Sequence, residues 1–297
     1  MTACATSPTR AQIAFLPDQR RLHLQDGPID LIVEAFGAPD EVRAAYRAAT
    51  QRFVSVLNEL CEELFLLRQP AHEHSPLPHG LVAQRMMLAV KPFADENFIT
   101  PMAAVAGSVA EEILFTMSSA ANLTRAYVNN GGDIALYLGC GERFTAGAVQ
   151  TANAPKLFAA TTLDATMPVR GIATSGWPGR SFSLGIADAV TVLAKTASMA
   201  DAAATIVANA IDLPGHPNIA RIPARDLAPD SDLGDRLVTR HVGPLSIEEI
   251  ECALHAGSVV ASSLATRELI HSAALHLAGQ TRVVGLDTLC RGELLHA

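Results

Sequence analysis

Aromatic residues are scarce in this chain of 297 residues: one tryptophan, three tyrosines and ten phenylalanines. A core built without them has to close on small side chains. The material is present, since 49% of the sequence is apolar. Cysteine is equally thin. Cys4, Cys61, Cys140, Cys252 and Cys290 are odd in number, scattered and without CxxC spacing. That excludes a disulfide framework and a thiolate zinc site, and it fits a reducing cytoplasm. No apolar run reaches the ~18 residues a bilayer span needs. Residues 1–19 open with MTACATSPTRAQ and read as a flexible polar tail without the apolar centre of a secretory signal. Net charge is −8 and the longest basic run is Arg20–Arg21. Nucleic acid and anionic membrane surfaces are therefore excluded as partners. No GxSxG elbow, GKS/T phosphate loop or HExxH helix is found.

What is present falls into three blocks. Residues 20–36 alternate apolar and polar around Asp26-Gly27, which predicts a hairpin. Residues 40–67 carry Val42, Tyr46, Phe53, Val56, Leu60 and Leu64 at helical spacing. A Pro- and His-rich connector leads to a helix at about 80–91. Thr100 as cap and Pro101 in the first turn then predict a helix reaching about 119. Segments 123–130, 133–139, 143–150, 156–163, 168–175 and 185–194 are β-branched runs separated by Gly or Asn, hence strands. A helix at 198–212 follows, then a Pro- and Asp-rich loop to 236. One or two helices over 246–278, broken at Gly257, precede a closing strand at 282–286. Helices, then strands, then helices predict an α+β fold: a central, mostly antiparallel sheet block flanked by N- and C-terminal helices. Residues 20–297 read as one unit, with a helical 37–120 and a strand-rich 121–210 segment. The faces of 40–67 and 246–278 suit either core packing or pairing in a homo-oligomer.

The most informative stretch is SMADAAATIVANAID, 198–212. Asp201, Thr205 and Asn209 stack at i, i+4 and i+8 on one face of an alanine-rich helix. No Lys or Glu accompanies them, so the stripe faces protein or ligand and not bulk water. A carboxylate and a hydroxyl one turn apart suit a hard cation with oxygen ligands. The same residues also satisfy a structural role. Ser198 and Asp201 match a capping box, and Asn209 is a candidate C-terminal cap.

Two glycine segments accompany the stripe. Asn129-Asn130-Gly131-Gly132-Asp133 reads as a hairpin turn, or as a place where backbone N–H groups approach a phosphate or flavin ring. ATSGWPGRSFSLG, 173–185, reads as a surface loop, or as an anion cradle. In the second case Thr174, Ser175 and Gly176 offer hydroxyls and amides, Arg180 a charge, and Trp177 a stacking face. His72, His74 and His79 read as a solvated connector, and His271 and His276 as packed residues in an apolar helix.

Taken in order, Val128–Ile134 (VNNGGDI), Ala173–Gly176 (ATSG), Ala189–Val192 (AVTV) and Ala200–Thr205 (ADAAAT) resemble the ApbE-like superfamily, typified by FAD:protein FMN transferase. The whole chain is most similar to its UPF branch. The resemblance implies Mg²⁺ held by Asp201 and Thr205, and FAD or FMN seated by Asn130, Gly131, Gly132, Asp133, Thr174, Ser175, Gly176 and Arg180. It also implies a flavoprotein acceptor. The departures are specific. Where the transferases carry HxIDPxTG, this chain has Ser181–Asp188 without histidine. Val105-Ala106-Gly107 lacks the lysine of their A-K-G segment, and Glu111 stands four residues after that glycine. Three functions follow: flavin transfer, flavin or nucleotide binding without chemistry, and a different metal-dependent reaction on the same scaffold.

Overall fold

The computed structural model describes residues 10–149, 157–285 and 290–291. The chain opens with strands β1 (Gln12–Phe15), β2 (Leu22–Asp26) and β3 (Ile29–Gly37), then α1 (Pro39–Glu62) and the single turn α2 (Leu64–Leu67). Helix α3 (Leu81–Val90) follows. A 3-10 turn at Pro101–Ala104 leads into α4 (Val105–Ala120). Strands β4 (Leu123–Asn130), β5 (Asp133–Leu138), β6 (Arg143–Val149), β7 (Leu157–Asp164), β8 (Gly171–Ser175) and β9 (Ala189–Ala194) come next. Helix α5 (Ala197–Ala210), β10 (Ile219–Pro223), α6 (Ala224–Leu227), β11 (Leu237–Val242), α7 (Ile247–Thr266), β12 (Ser272–Leu277), β13 (Gln280–Gly285) and β14 (Cys290–Arg291) complete it.

A nine-stranded sheet, ordered β1-β2-β3-β4-β5-β8-β9-β12-β13, is the frame. Among the described residues every strand pairing is antiparallel. The fold is α+β, as the order of segments predicted. Helices cover one face. Phe53, Val56, Met86 and Ile113 meet Leu24, Val33 and Val128 at one end, and Val207, Leu254 and Leu264 meet Val192 and Leu275 at the other. The helix at 39–62 therefore spends its apolar face inside its own chain. On the opposite face, the small sheet β14-β7-β6 helps close a third core around Leu136, Leu163, Ile172 and Leu193.

Several sequence expectations are corrected. The tail expected through residue 19 is shorter: Gln12–Phe15 forms an edge strand on β2, and Phe15 meets Tyr46 edge-on at 5.7 Å. Residues 1–9 lie outside the described residues. The loop expected at 212–236 contains β10 and α6, because Ile219–Pro223 finds a partner in Leu237–Val242. The helix expected to reach 278 ends at Thr266. Glu268 turns to a φ of +56°, and Ser272–Leu277 becomes a strand. Lying between β9 and β13, that strand is buried along its whole length, so it lacks the alternation that marks a half-exposed strand. Helix α7 runs through Gly257 unbroken; the glycine serves packing, since a Cβ there would fall 2.3 Å from Ile211 Cγ1. Thr100 does not cap its helix; its hydroxyl donates to Asp232 at 2.5 Å.

Candidate functional site

The β4–β5 hairpin carries the first part of the site. Val128 packs into the helix-side core, so Asn130, two residues on, faces the same side. Asn130 is the register partner of Asp133, and its amide donates to the Ala106 carbonyl at 3.1 Å. Gly131 and Gly132 close the turn with φ of +67° and +118°, values that side chains resist. The Asn129 carboxamide oxygen accepts from the Gly132 N–H at 2.8 Å and fixes the turn.

The starts of α4 and α5 meet directly above this turn. A Cβ at Gly107 would lie 2.3 Å from the Ala197 carbonyl oxygen, so only glycine permits the approach. Across the gap, Asp201 accepts the Gly107 N–H at 3.0 Å. The expected Ser198–Asp201 capping box is corrected: Thr196 is the cap, accepting from the Met199 N–H. Ser198 turns to Glu111 instead, giving it both its N–H (2.8 Å) and its hydroxyl (3.0 Å). Asp201 is thereby freed for the interhelical contact.

Asp133 and Asp201 thus converge on the N-terminal turn of α4. Burial pushes the Asp133 carboxyl up to about 7, against the opposing Thr174 N–H and the charge of Arg180. Asp201 is raised well above the usual carboxylate range, by burial first and then by the charge of Asp133. The N–H groups of Gly107 and Ala106 oppose that rise, and Glu111 adds to it. Two carboxylates sharing one half-buried crease are short of positive charge. The donors are all oxygen, and Thr205 lies one turn beyond Asp201 on α5. That set fits a hard divalent cation. Among the described residues no three His, Cys, Asp or Glu side chains gather as a metal set.

The 174–185 loop forms the third wall. The Thr174 N–H donates to Asp133 at 3.2 Å, and its hydroxyl pairs with that of Thr191 at 2.8 Å. Gly176 is buried against the chain at Asp188, and a Cβ there would strike the Asp188 carbonyl oxygen at 2.4 Å. Trp177, expected as a stacking face, is an anchor: its indole N–H donates to Asp188 at 3.3 Å. Arg180 reaches back over the turn, and a Cβ on Gly131 would fall 1.7 Å from its Nη2. Asn209, the third member of the stripe, caps no helix end. It accepts the Leu184 N–H at 2.9 Å and holds the loop's return.

The structure therefore gathers Asn130, Gly131, Gly132, Asp133, Thr174, Arg180 and Asp201 around one crease, with Ser175 and Gly176 continuing from Thr174. Sequence reasoning missed Asn129 as the clamp of the turn and Thr191 as the partner of Thr174. It also missed Ser198 as the partner of Glu111. Asn129 and Ser198 are polar residues within a few positions of a glycine or a helix start, which is the signal that marks such clamps; Thr191, inside a buried strand, carries no such signal. His72, His74 and His79 are exposed, and His276 is buried on β12 and not in a helix. Cys61, Cys140 and Cys252 are free and exposed. No helix among the described residues is long and apolar enough to cross a membrane.

An antiparallel α+β scaffold thus places an oxygen-donor crease beside a glycine turn. The chain belongs to the family described as AbpE bacteria, whose model matches residues 13–283. A UPF0280 protein of Methanosphaerula palustris is 33% identical over 177 residues, covering 58% of this chain and 71% of that protein. One from Methanopyrus kandleri is 35% identical over 128 residues, covering 43% and 48%. In the latter the chain spans about half the length of its relative. The apo flavinyl transferase ApbE of Pseudomonas stutzeri aligns over 94% of this chain and 96% of that one, with a TM-score of 0.41 and 11% identity.

Proposed function

We propose that this protein binds Mg²⁺ together with a flavin nucleotide or related nucleotide diphosphate, and that it transfers FMN from FAD to a Thr or Ser hydroxyl of a flavoprotein acceptor. One observation carries the reading: two carboxylates from different elements converge beside a glycine turn at the start of α4. The flavin is what the resemblance of the VNNGGDI, ATSG, AVTV and ADAAAT segments to the ApbE-like superfamily implies.

Asp201 and Thr205 would hold the cation, and Asp133 would add its charge. When bound, Mg²⁺ acts as Lewis acid and template on a pyrophosphate. The chain's own groups do the rest. The Gly131 and Gly132 turn permits close backbone approach, and Asn130 fixes that turn to α4. Thr174, Ser175 and Gly176 offer a hydroxyl and backbone rim for the phosphates, and Arg180 offers a fork of donors. In the transfer, the acceptor oxygen bonds to the FMN phosphorus, the bond to the AMP phosphate breaks, and AMP leaves while the hydroxyl loses its proton.

Incubation with FAD, Mg²⁺ and a candidate acceptor tests this. AMP release and a flavin-labelled acceptor are expected, and Asp201→Ala abolishes both. Absence of AMP with every acceptor removes the transfer step. A second reading, flavin or nucleotide binding without transfer, draws on the 181–188 segment. It has no histidine, and its polar groups serve structure: Ser183 contacts Asn209, and Asp188 accepts from Trp177 and from the Ala278 N–H. Under that reading FAD raises the melting temperature in a concentration-dependent way and no AMP forms.

A further inference from the structure

Arg180 is placed in an unusual way for an arginine beside two carboxylates. One end of its guanidinium, Nη2, occupies the space a side chain on Gly131 would fill. Among the described residues it makes no ion pair or hydrogen bond, while its charge acts to lower the raised Asp133 carboxyl. Its fork of donors is therefore uncommitted.

The loop that carries Arg180 is pinned at both ends and exposed at its tip. At the near end, the Trp177 N–H donates to the Ala187 carbonyl at 2.9 Å and its indole to Asp188. At the far end, the Ser183 carbonyl accepts from the Thr239 N–H at 2.9 Å, and Asn209 accepts from the Leu184 N–H. Residues 178–181 between these anchors are all exposed. The Gly179 N–H donates to the Gly176 carbonyl at 3.1 Å, so what can swing is the exposed Arg180 side chain, held by no hydrogen bond among the described residues.

The charges give that swing a direction. With Asp133 and Asp201 ionised, Arg180 leaves the crease net negative, and a phosphate is repelled. A divalent cation between the carboxylates makes the crease net positive, and the guanidinium is no longer needed as counter-charge. We propose that Arg180 and a divalent cation are alternative counter-charges for the Asp133–Asp201 pair. Cation entry lets the Arg180 guanidinium move off Gly131, so that its fork takes a phosphate of the incoming nucleotide. This rests on the cation-site reading above and adds an order to it: metal first, nucleotide second.

Mn²⁺ titrated into the protein at pH 8, followed by calorimetry, tests the exchange. Arg180→Gln and Gly131→Ala are expected to bind Mn²⁺ about three- to tenfold more tightly than the parent, because a competing charge is removed or displaced. The double variant binds no more tightly than Arg180→Gln alone. Gly141→Ala, outside the crease, is the control. It also carries a strained backbone (φ +79°), but its Cβ meets nothing within 4 Å, so Mn²⁺ affinity stays at the parent's level. With Mn²⁺ saturating, ADP binds Arg180→Gln about tenfold more weakly than the parent. Opposite effects on cation and nucleotide are the signature. Arg180→Gln leaving Mn²⁺ affinity unchanged or lower overturns the exchange, as does unchanged ADP affinity. If Asp201→Ala binds Mn²⁺ as well as the parent, the cation reading itself fails and the exchange falls with it. If Asp201→Ala loses Mn²⁺ while Arg180→Gln matches the parent, the exchange alone is wrong.

Discussion

Gly107→Ala is the sharpest test of how the site is assembled. The new Cβ would lie 2.3 Å from the Ala197 carbonyl oxygen, 2.5 Å from its carbon and 2.8 Å from the Ser198 nitrogen. All three are backbone atoms, so no rotamer change relieves the clash. The starts of α4 and α5 must separate by roughly 1 Å to restore ordinary contact. The Gly107 N–H, now 3.0 Å from Asp201, is then carried out of hydrogen-bond range. Losing a hydrogen bond to a charged group costs about 1.5–3 kcal/mol. Forced overpacking adds about 1–3 kcal/mol. Alanine returns about 1 kcal/mol of helix propensity. The net is a loss of about 2–5 kcal/mol, which for a chain of this size lowers the melting temperature by about 4–10 °C. Gly215→Ala is the control: its φ is +74° but nothing lies within 4 Å of its Cβ, so only backbone strain of about 1 kcal/mol is added. The assay is a thermal melt followed by circular dichroism. If Gly107→Ala melts at or above the temperature of Gly215→Ala, the helix junction is not built on that glycine and the reasoning is refuted.

Other predictions concern charge and caps. Asp133 and Asp201 have folded-state pKa values above their unfolded ones. In the absence of a divalent cation the contribution of Asp133 to stability therefore declines as pH rises from about 4 through about 7, and that of Asp201 likewise falls with rising pH. Melts in EDTA should show Asp133→Asn gaining more over the parent at pH 8 than at pH 5, and an equal gain at both would contradict this. Glu112, 3% exposed, accepts from Arg52 Nε at 2.7 Å and lies 3.4 Å from Arg85. Glu112→Ala leaves these charges half-paired and should cost about 3 kcal/mol in urea unfolding; a change below about 1 kcal/mol would show that the network is not stabilising. Ser246 and Glu249 form a reciprocal capping box at the start of α7. Ser246→Ala should cost about 1 kcal/mol, read in the same way.

The fold was largely legible where period and punctuation agree. Asp26-Gly27 marked the first hairpin, and the repeat from Val42 to Leu60 marked α1. Legibility failed where burial erases the period. Ser272–Leu277 is apolar on both faces and resembles the helix before it until the left-handed Glu268 is seen. It failed again at Ile219–Pro223, whose partner lies beyond an acidic loop that local pattern cannot bridge. In the site, glycines and carboxylates were visible as residue types, but their partners were not. Asp201 looked like a local cap because Ser198 stands three residues before it. Only the approach of α4 through Gly107 shows that Ser198 belongs to Glu111 and Asp201 to the neighbouring helix.

A crystal grown with Mn²⁺ and mapped by anomalous scattering tests the central claim most directly. The account predicts a peak roughly 2.0–2.6 Å from a carboxylate oxygen of Asp201, within reach of Thr205 and facing Asp133 and the Gly131–Gly132 turn. Ordered Mn²⁺ elsewhere on the protein, with no peak in this crease, would contradict it.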